Sequence, residues 1–272
     1  MRIITILILM IVVVLNGCSQ TIPESEVVIT TAASVAVTVE TTEQATAIES
    51  VTLAFITQAP QSNDNDNYNW ALQLINSRNP LPAGYIPELA WIGSYNGSNR
   101  EFDARAANYV LLLLQAARDD GVNLLLTSSY RRVVRQDENF RDWFQMLVTQ
   151  GYSRERAFEM TAREIAVPGT SEHNAGLAVD FNYRTDTEHT FDRTAEFAWL
   201  RDNAHRFGFI LRYPNGKTHI TGISYEPWHW RFVGVENAAK IRESGLTLEE
   251  YVGVCAGDDS VVTAFRQQLI SR

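Results

Sequence analysis

The 272-residue chain is poor in cysteine, with Cys18 and Cys255 its only two. That count excludes a disulfide scaffold and any Cys-rich zinc site. A basic excess is also missing. Formal net charge is -9, from 32 acids against 23 bases, the opposite of the cationic face that a nucleic-acid binder needs. No His-Glu-x-x-His occurs, so a zinc site borne on one helix is excluded. No internal repeat is visible. What is present, 45% hydrophobic and 20% charged residues, is the balance of an ordinary globular protein of one or two domains.

Arg2 is followed by an apolar run of thirteen, residues 3–15. It falls short of the roughly 20 residues of a transmembrane helix and fits the n- and h-regions of a signal peptide. Leu15-Asn16-Gly17-Cys18 then resembles a bacterial lipobox, with Asn16 an uncommon residue in its slot. The resemblance implies a lipoprotein signal peptide over 1–17, cleavage before Cys18 and lipidation of its thiol. An ordinary secretory signal or an uncleaved anchor would export the chain as well. Each reading puts the functional part outside the cytoplasm, and the lipoprotein reading holds it at the membrane.

Residues 18–67 read as an extended tether. Between Ser19 and Asn67 there is no Lys, Arg or Gly, and seven acids stand among Thr, Ala, Val and Ser. Such a stretch cannot bury enough apolar surface to order itself, although Ser34–Val39 alternates as a single strand would. The rest, 68–272, carries 25 acids against 22 bases and suffices for one sizeable core.

Within 68–272, Asp103 is expected to cap a helix to about Asp119, stopped by Gly121 and carrying the stripe Val110–Leu114 in its core face. Strands are expected at 122–127 and 177–181. Helices are expected at 137–150, at 154–165 with Ser153 as cap, and at 194–206 with Gly208 as stop. Strands at 209–213, 217–224 and 229–233 follow, with Pro214-Asn215-Gly216 as a turn. Thr247 to Glu250 has the capping-box pattern. Strands clustering late among helices point to an α+β fold, a central mostly antiparallel sheet with flanking helices.

Two segments carry chemistry: Ser171-Glu172-His173-Asn174-Ala175-Gly176-Leu177-Ala178-Val179-Asp180 and Glu226-Pro227-Trp228-His229-Trp230-Arg231. A catalytic zinc takes three protein ligands and keeps a position for water. It brings that water's pKa towards about 7 and polarises a carbonyl. A separate carboxylate must then move the proton to the leaving amine. His173, Asp180 and His229 would supply two nitrogens and an oxygen, and Glu226 the base. Glu226 and His229 are three apart, so a regular strand would point them to opposite faces. A bend near Pro227 and Trp228 is required to aim both at one metal. On spacing alone, a metal site and unrelated core or surface roles both remain open.

Ser171-x-His173-x-x-Gly176-x-x-x-Asp180 followed by Glu226-x-Trp228-His229-x-Arg231 resembles the VanY-type D-alanyl-D-alanine carboxypeptidases. These are zinc peptidases of bacterial wall peptides, related to LD-carboxypeptidases. Further matching pieces run in family order over about 72–252: Asn79-Pro80-Leu81-Pro82, Ser129-Tyr130-Arg131-Arg132 with Gln136, Gly208 to Pro214, and Leu248 to Tyr251. Trp230 and Phe232 stand where tyrosines are more usual.

The resemblance implies one zinc on His173, Asp180 and His229, located on the sheet, with Glu226 as base. It places Arg131 and Gln136 where the family holds the terminal D-alanine. The Arg131 fork suits a carboxylate. Ser171 would add a hydroxyl, and Trp228 would wall the cleft or belong to the core. The substrate would be a peptidoglycan stem peptide, cut at a D,D bond or, in the alternative, at the L,D bond of a tetrapeptide. A further alternative is a wall-binding lipoprotein without catalysis, against which the presence of Glu226 speaks. No nucleic acid and no obligate protein partner is implied. His189, His205 and His219 match no ligand slot, and Cys255 reads as a free thiol.

Overall fold

The computed structural model describes residues 70–182, 190–253 and 257–271. The signal segment, Cys18, the tether, the expected strand at 34–39, the start of the domain at 68–69, His189 and Cys255 lie outside the described residues.

The first strands among the described residues form a hairpin, β1 (Leu89–Tyr95) and β2 (Ser98–Asp103). Asn96 and Gly97 both take positive φ, 49° and 74°, as a two-residue primed turn demands. α1 (Ala107–Asp119) buries Val110, Leu113 and Ala117 on one helical face. β3 (Leu126–Ser128), α2 (Val133–Thr149) and α3 (Arg154–Glu164) follow. A 3-10 turn, Glu172–Ala175, leads into β4 (Ala178–Phe181). α4 (Ala195–Asn203), β5 (Phe209–Leu211), α5 (Thr218–Thr221) and β6 (His229–Phe232) come next. α6 (Val235–Ser244), α7 (Leu248–Val252) and α8 (Ser260–Ile270) close the chain.

The main sheet has the order β3-β4-β6-β5 and is antiparallel throughout. Every residue of β4 and β6 is buried. One core joins this sheet to the hairpin, α1 and α4 through Phe102, Val110, Phe181, Leu200, Phe209 and Phe232. A second holds α2, α3 and α8 together around Phe140, Phe144, Phe158 and Leu269. The α+β architecture with flanking helices is therefore as expected.

Several expectations need correction. Residues 217–224 form the short helix α5 and a loop, not a strand. Asp103 ends β2, and its carboxylate accepts from Arg105 instead of capping α1, which starts four residues later. The strand expected at 122–127 is confined to Leu126–Ser128. α2 begins at Val133, four residues before expectation. The helix expected over 194–206 ends as a 3-10 turn, Ala204–Phe207, and the strand expected at 209–213 stops at Leu211. The Ser153 cap and the Thr247–Glu250 capping box are both present.

Candidate metal centre and cleft

Strand register brings the first two candidates together. Asp180 on β4 lies directly opposite His229 on β6, so both side chains leave the same face of the sheet. His173 comes from the 3-10 turn before β4. That turn is ended by Gly176, whose φ is 69°. A Cβ at Gly176 would stand 3.1 Å from the Asp103 amide nitrogen, so only glycine lets the turn press against the hairpin. The expected bend is present: Pro227 and Trp228 form a turn in which the His229 amide donates to the Glu226 carbonyl at 3.2 Å. It returns Glu226 to the side of His229, with Oε2 3.5 Å from His229 Nδ1.

His173, Asp180 and His229 offer ligand atoms that all lie within 4.8 Å of one another, and all three residues are buried. His173 Nδ1–H donates to the Ser129 carbonyl at 2.7 Å, leaving Nε2 turned inwards, 3.3 Å from Asp180 Oδ2. His229 is mounted the other way round. Its Nδ1 faces Asp180 Oδ1 at 3.3 Å, and its Nε2 faces Glu172 Oε2 at 3.3 Å. Asp180 Oδ1 is buried and makes no hydrogen bond among the described residues. Two imidazoles oriented through their outer nitrogens, beside a carboxylate oxygen with unmet acceptor capacity, are the donor set that a divalent cation such as zinc takes.

The electrostatics follow from burial and neighbours. Burial would raise Asp180, but His173 and His229 outweigh it and hold the carboxyl well below its ordinary value. Burial pushes Glu226 up to about 8, with His229 opposing. His229 is disfavoured as a cation by burial, yet the carboxylates of Asp180 and Glu172 beside it lift it to about 9. Burial lowers His173. A divalent charge among these groups would favour ionised carboxylates and neutral imidazoles.

A cavity of about 170 Å3 lies over the cluster, lined by Arg131, Gln136, Ser171, Glu226 and Trp228 as well as the three donors. The structure thus brings every candidate of the domain to one cleft. Arg131 Nη1 donates to Gln136 Oε1 at 2.9 Å and Nη2 to Ser128 Oγ at 3.0 Å. Nη2 stands 3.8 Å from Asp180 Oδ2. Gln136 is buried and also donates from Nε2 to the Ala166 carbonyl at 2.7 Å. Its amide is therefore engaged at both ends and braces Arg131. Trp228 is half-buried, packs on the main core and lines the cleft. A trough of about 1050 Å3 shares Glu226 and Trp228 and runs on past Trp143, Met146 and Met160.

Two features of the site were not read from the sequence. Tyr213 lines the cavity, its ring 4.8 Å from that of His229. Behind the donors, Glu172 meets Arg212 and Arg231 with all three side chains fully buried. The signal was available: Arg212 and Arg231 interrupt apolar runs, and a buried arginine needs a carboxylate partner. His205 is half-buried against Arg242, and His219 is exposed on α5, both away from the donors.

Residues 99–235 match the sequence profile of the VanY family, described as D-alanyl-D-alanine carboxypeptidase. A D-alanyl-D-alanine carboxypeptidase of Enterococcus faecalis is 43% identical over 196 residues, which is 72% of this chain and 70% of that protein. The crystal structure of a variant of the vancomycin resistance D,D-pentapeptidase VanY, from a VanB-type resistance cassette and in complex with Zn(II), is similar at 43% identity. Its TM-score is 0.60, over 68% of this chain and 99% of the other. The LdcB LD-carboxypeptidase is similar at 33% identity and a TM-score of 0.57, over 69% of this chain and 87% of the other.

Proposed function

Because the chain belongs to the VanY family of D-alanyl-D-alanine carboxypeptidases, we propose that it is a zinc-dependent carboxypeptidase that removes the C-terminal D-alanine from peptidoglycan stem peptides. The observation that carries the reading is the buried His173, Asp180 and His229 set with Glu226 beside it. Zinc bound there supplies Lewis acidity towards the scissile carbonyl and the attacking water. Glu226, buried with Oε2 3.5 Å from His229 Nδ1, takes the proton from that water and hands it to the leaving amine. Arg131, partly open to the cleft and held by Ser128 and Gln136, pairs with the free carboxylate of the terminal residue. Ser171 adds a hydroxyl to the same end, and Trp228 walls it.

The D,D bond is favoured because the D,D-pentapeptidase is the more similar relative, 43% identical against 33% for the LD-carboxypeptidase. The latter keeps cleavage of a tetrapeptide as the second reading. Mass spectrometry of a pentapeptide and a tetrapeptide after incubation decides between them. Loss of one alanine from the pentapeptide alone is expected, and loss from the tetrapeptide alone would reverse the assignment.

We also propose that residues 1–17 are a lipoprotein signal, that Cys18 carries the lipid, and that residues 18–67 tether the domain to the extracytoplasmic face of a membrane. The sequence pattern around Cys18 supports this. Fatty-acid labelling of the wild type but not of Cys18→Ser is expected, and equal labelling would refute it. Deleting 1–67 should leave turnover of a soluble peptide unchanged. Much lower turnover of that folded fragment would move the boundary.

A further inference from the structure

Behind the candidate ligands lies a charge network that the proposed chemistry does not use. Glu172 Oε1 accepts from Arg212 Nε at 2.6 Å and from Arg231 Nη1 at 2.7 Å. Glu172 Oε2 faces His229 Nε2 at 3.3 Å. Arg212 spends its other two nitrogens on Glu249, at 2.8 and 2.6 Å. Arg231 spends its remaining donors on the carbonyls of Ala71, Gln73 and Phe232. Asn76 Nδ2 donates to Glu249 Oε1 at 3.3 Å. The set is therefore two carboxylates against two guanidiniums, closed and neutral.

Neutrality alone would make this a brace for the fold, a task that well-packed apolar side chains perform as well. The contact to His229 is what an apolar brace could not supply. Nδ1 is turned towards Asp180 and Glu226; with Nδ1 given to a metal, Nε2 would carry the ring proton and Glu172 Oε2, 3.3 Å away, would be its acceptor. We infer that Glu172 is a positioning residue: it fixes the ring and tautomer of His229 so that Nδ1 is presented to the metal, while Arg212 and Arg231 clamp the carboxylate that does so. A carboxylate behind a ligating imidazole orients the ring and strengthens it as a donor.

Two consequences are specific to this chain. The same four-residue turn carries ligand His173 and the residue that aims ligand His229. The clamp also reaches outside the family-matched residues 99–235, to Glu249 on α7 and to Ala71, Gln73 and Asn76. The clamp that holds Glu172 thus draws on segments that flank the matched region at both ends, and Glu249 supports it through the fold, not at the metal. The inference rests on the reading of His173, Asp180 and His229 as zinc ligands.

The test uses the purified full chain, stripped of metal, with three readouts: zinc affinity by competition with a chromophoric chelator, the d–d absorption of the Co(II) form, and the melting temperature of the apoprotein. Glu172→Asp keeps a charge for the two arginines but withdraws it from His229 by one methylene. Glu172→Gln keeps the length, but it has one oxygen, which the arginines claim, so its NH2 meets the ring N–H. Both variants should bind zinc about 10- to 100-fold more weakly and give an altered Co(II) spectrum. Glu172→Asp should do so with a melting temperature nearer that of the wild type. Glu249→Gln should lower the melting temperature while keeping the wild-type Co(II) spectrum.

Folded Glu172 variants with wild-type zinc affinity and spectrum would overturn the inference. So would failure of both variants to fold, which would make Glu172 a brace and nothing more. A wild-type chain that binds no zinc would instead overturn the ligand reading beneath it.

Discussion

Two groups of arginines flank the candidate metal centre, and their surroundings differ. The Arg131 side chain is 22% exposed, and its close partners are the neutral oxygens of Ser128 and Gln136, with Asp180 further off at 3.8 Å. Arg212 and Arg231 are fully buried, and their charges are met at 2.6–2.7 Å by Glu172 and Glu249. A guanidinium matched by carboxylates inside the protein is consumed by the structure. One that is oriented by neutral acceptors at the mouth of a cleft keeps its charge for a ligand. The same residue type is thus spent on the fold on one side of His229 and left available to a ligand on the other.

The largest effect should come from the group between the two sides. Glu226→Gln keeps the shape of the side chain but accepts no proton. The expected loss in kcat is about 100- to 10,000-fold, with zinc content unchanged. A loss below tenfold with full zinc would remove Glu226 from the base role. On the buried side, Arg212→Ala leaves Glu172 and Glu249 facing one another without that cation. A destabilisation of about 3–5 kcal/mol is expected in urea unfolding. A change under about 1 kcal/mol would show that the network does not hold the fold, and the contrast with Arg131 would collapse.

Much of this was legible before any coordinates. The candidate donors were readable because they sit in two short segments, and the bend between Glu226 and His229 followed from their spacing on a strand. Regular elements with a strong apolar face or a cap, such as α1 and α3, were placed to within a few residues. The hairpin of β1 and β2 was missed although Asn96-Gly97 announces it, because β2 is polar and Asp103 looked like a helix cap. α5 was read as a strand because Thr218, Ile220 and Thr221 are β-formers, while its length is set by Gly222 in the left-handed region at φ 79°. The sequence signalled that Arg212 and Arg231 need carboxylate partners, but not that Glu172 is one, since that depends on which residues the fold brings together. The partners of Glu172 lie 40, 59 and 57 positions away at Arg212, Arg231 and His229.

Smaller effects sharpen the same contrast. Thr247 caps the helix that carries Glu249, and its side chain accepts from the Glu250 amide at 3.2 Å. Thr247→Ala should cost about 1 kcal/mol in unfolding free energy. An unchanged midpoint would mean that the clamp does not depend on that cap. Arg131→Ala should be milder still for the fold, under about 1 kcal/mol, because its partners are neutral. A loss comparable to that of Arg212→Ala would show that Arg131 too belongs to the structure.

The most direct measurement is kcat/KM for the wild type and Arg131→Ala on two peptides, one ending in free D-alanyl-D-alanine and the other in its C-terminal amide. The wild type should release D-alanine from the free acid and process the amide much more slowly. Arg131→Ala should lose about 1.5–3 kcal/mol in transition-state stabilisation on the free acid and change little on the amide. Equal slowing of both peptides, or a wild type that does not distinguish them, would contradict the account of a cleft built around a free terminal carboxylate.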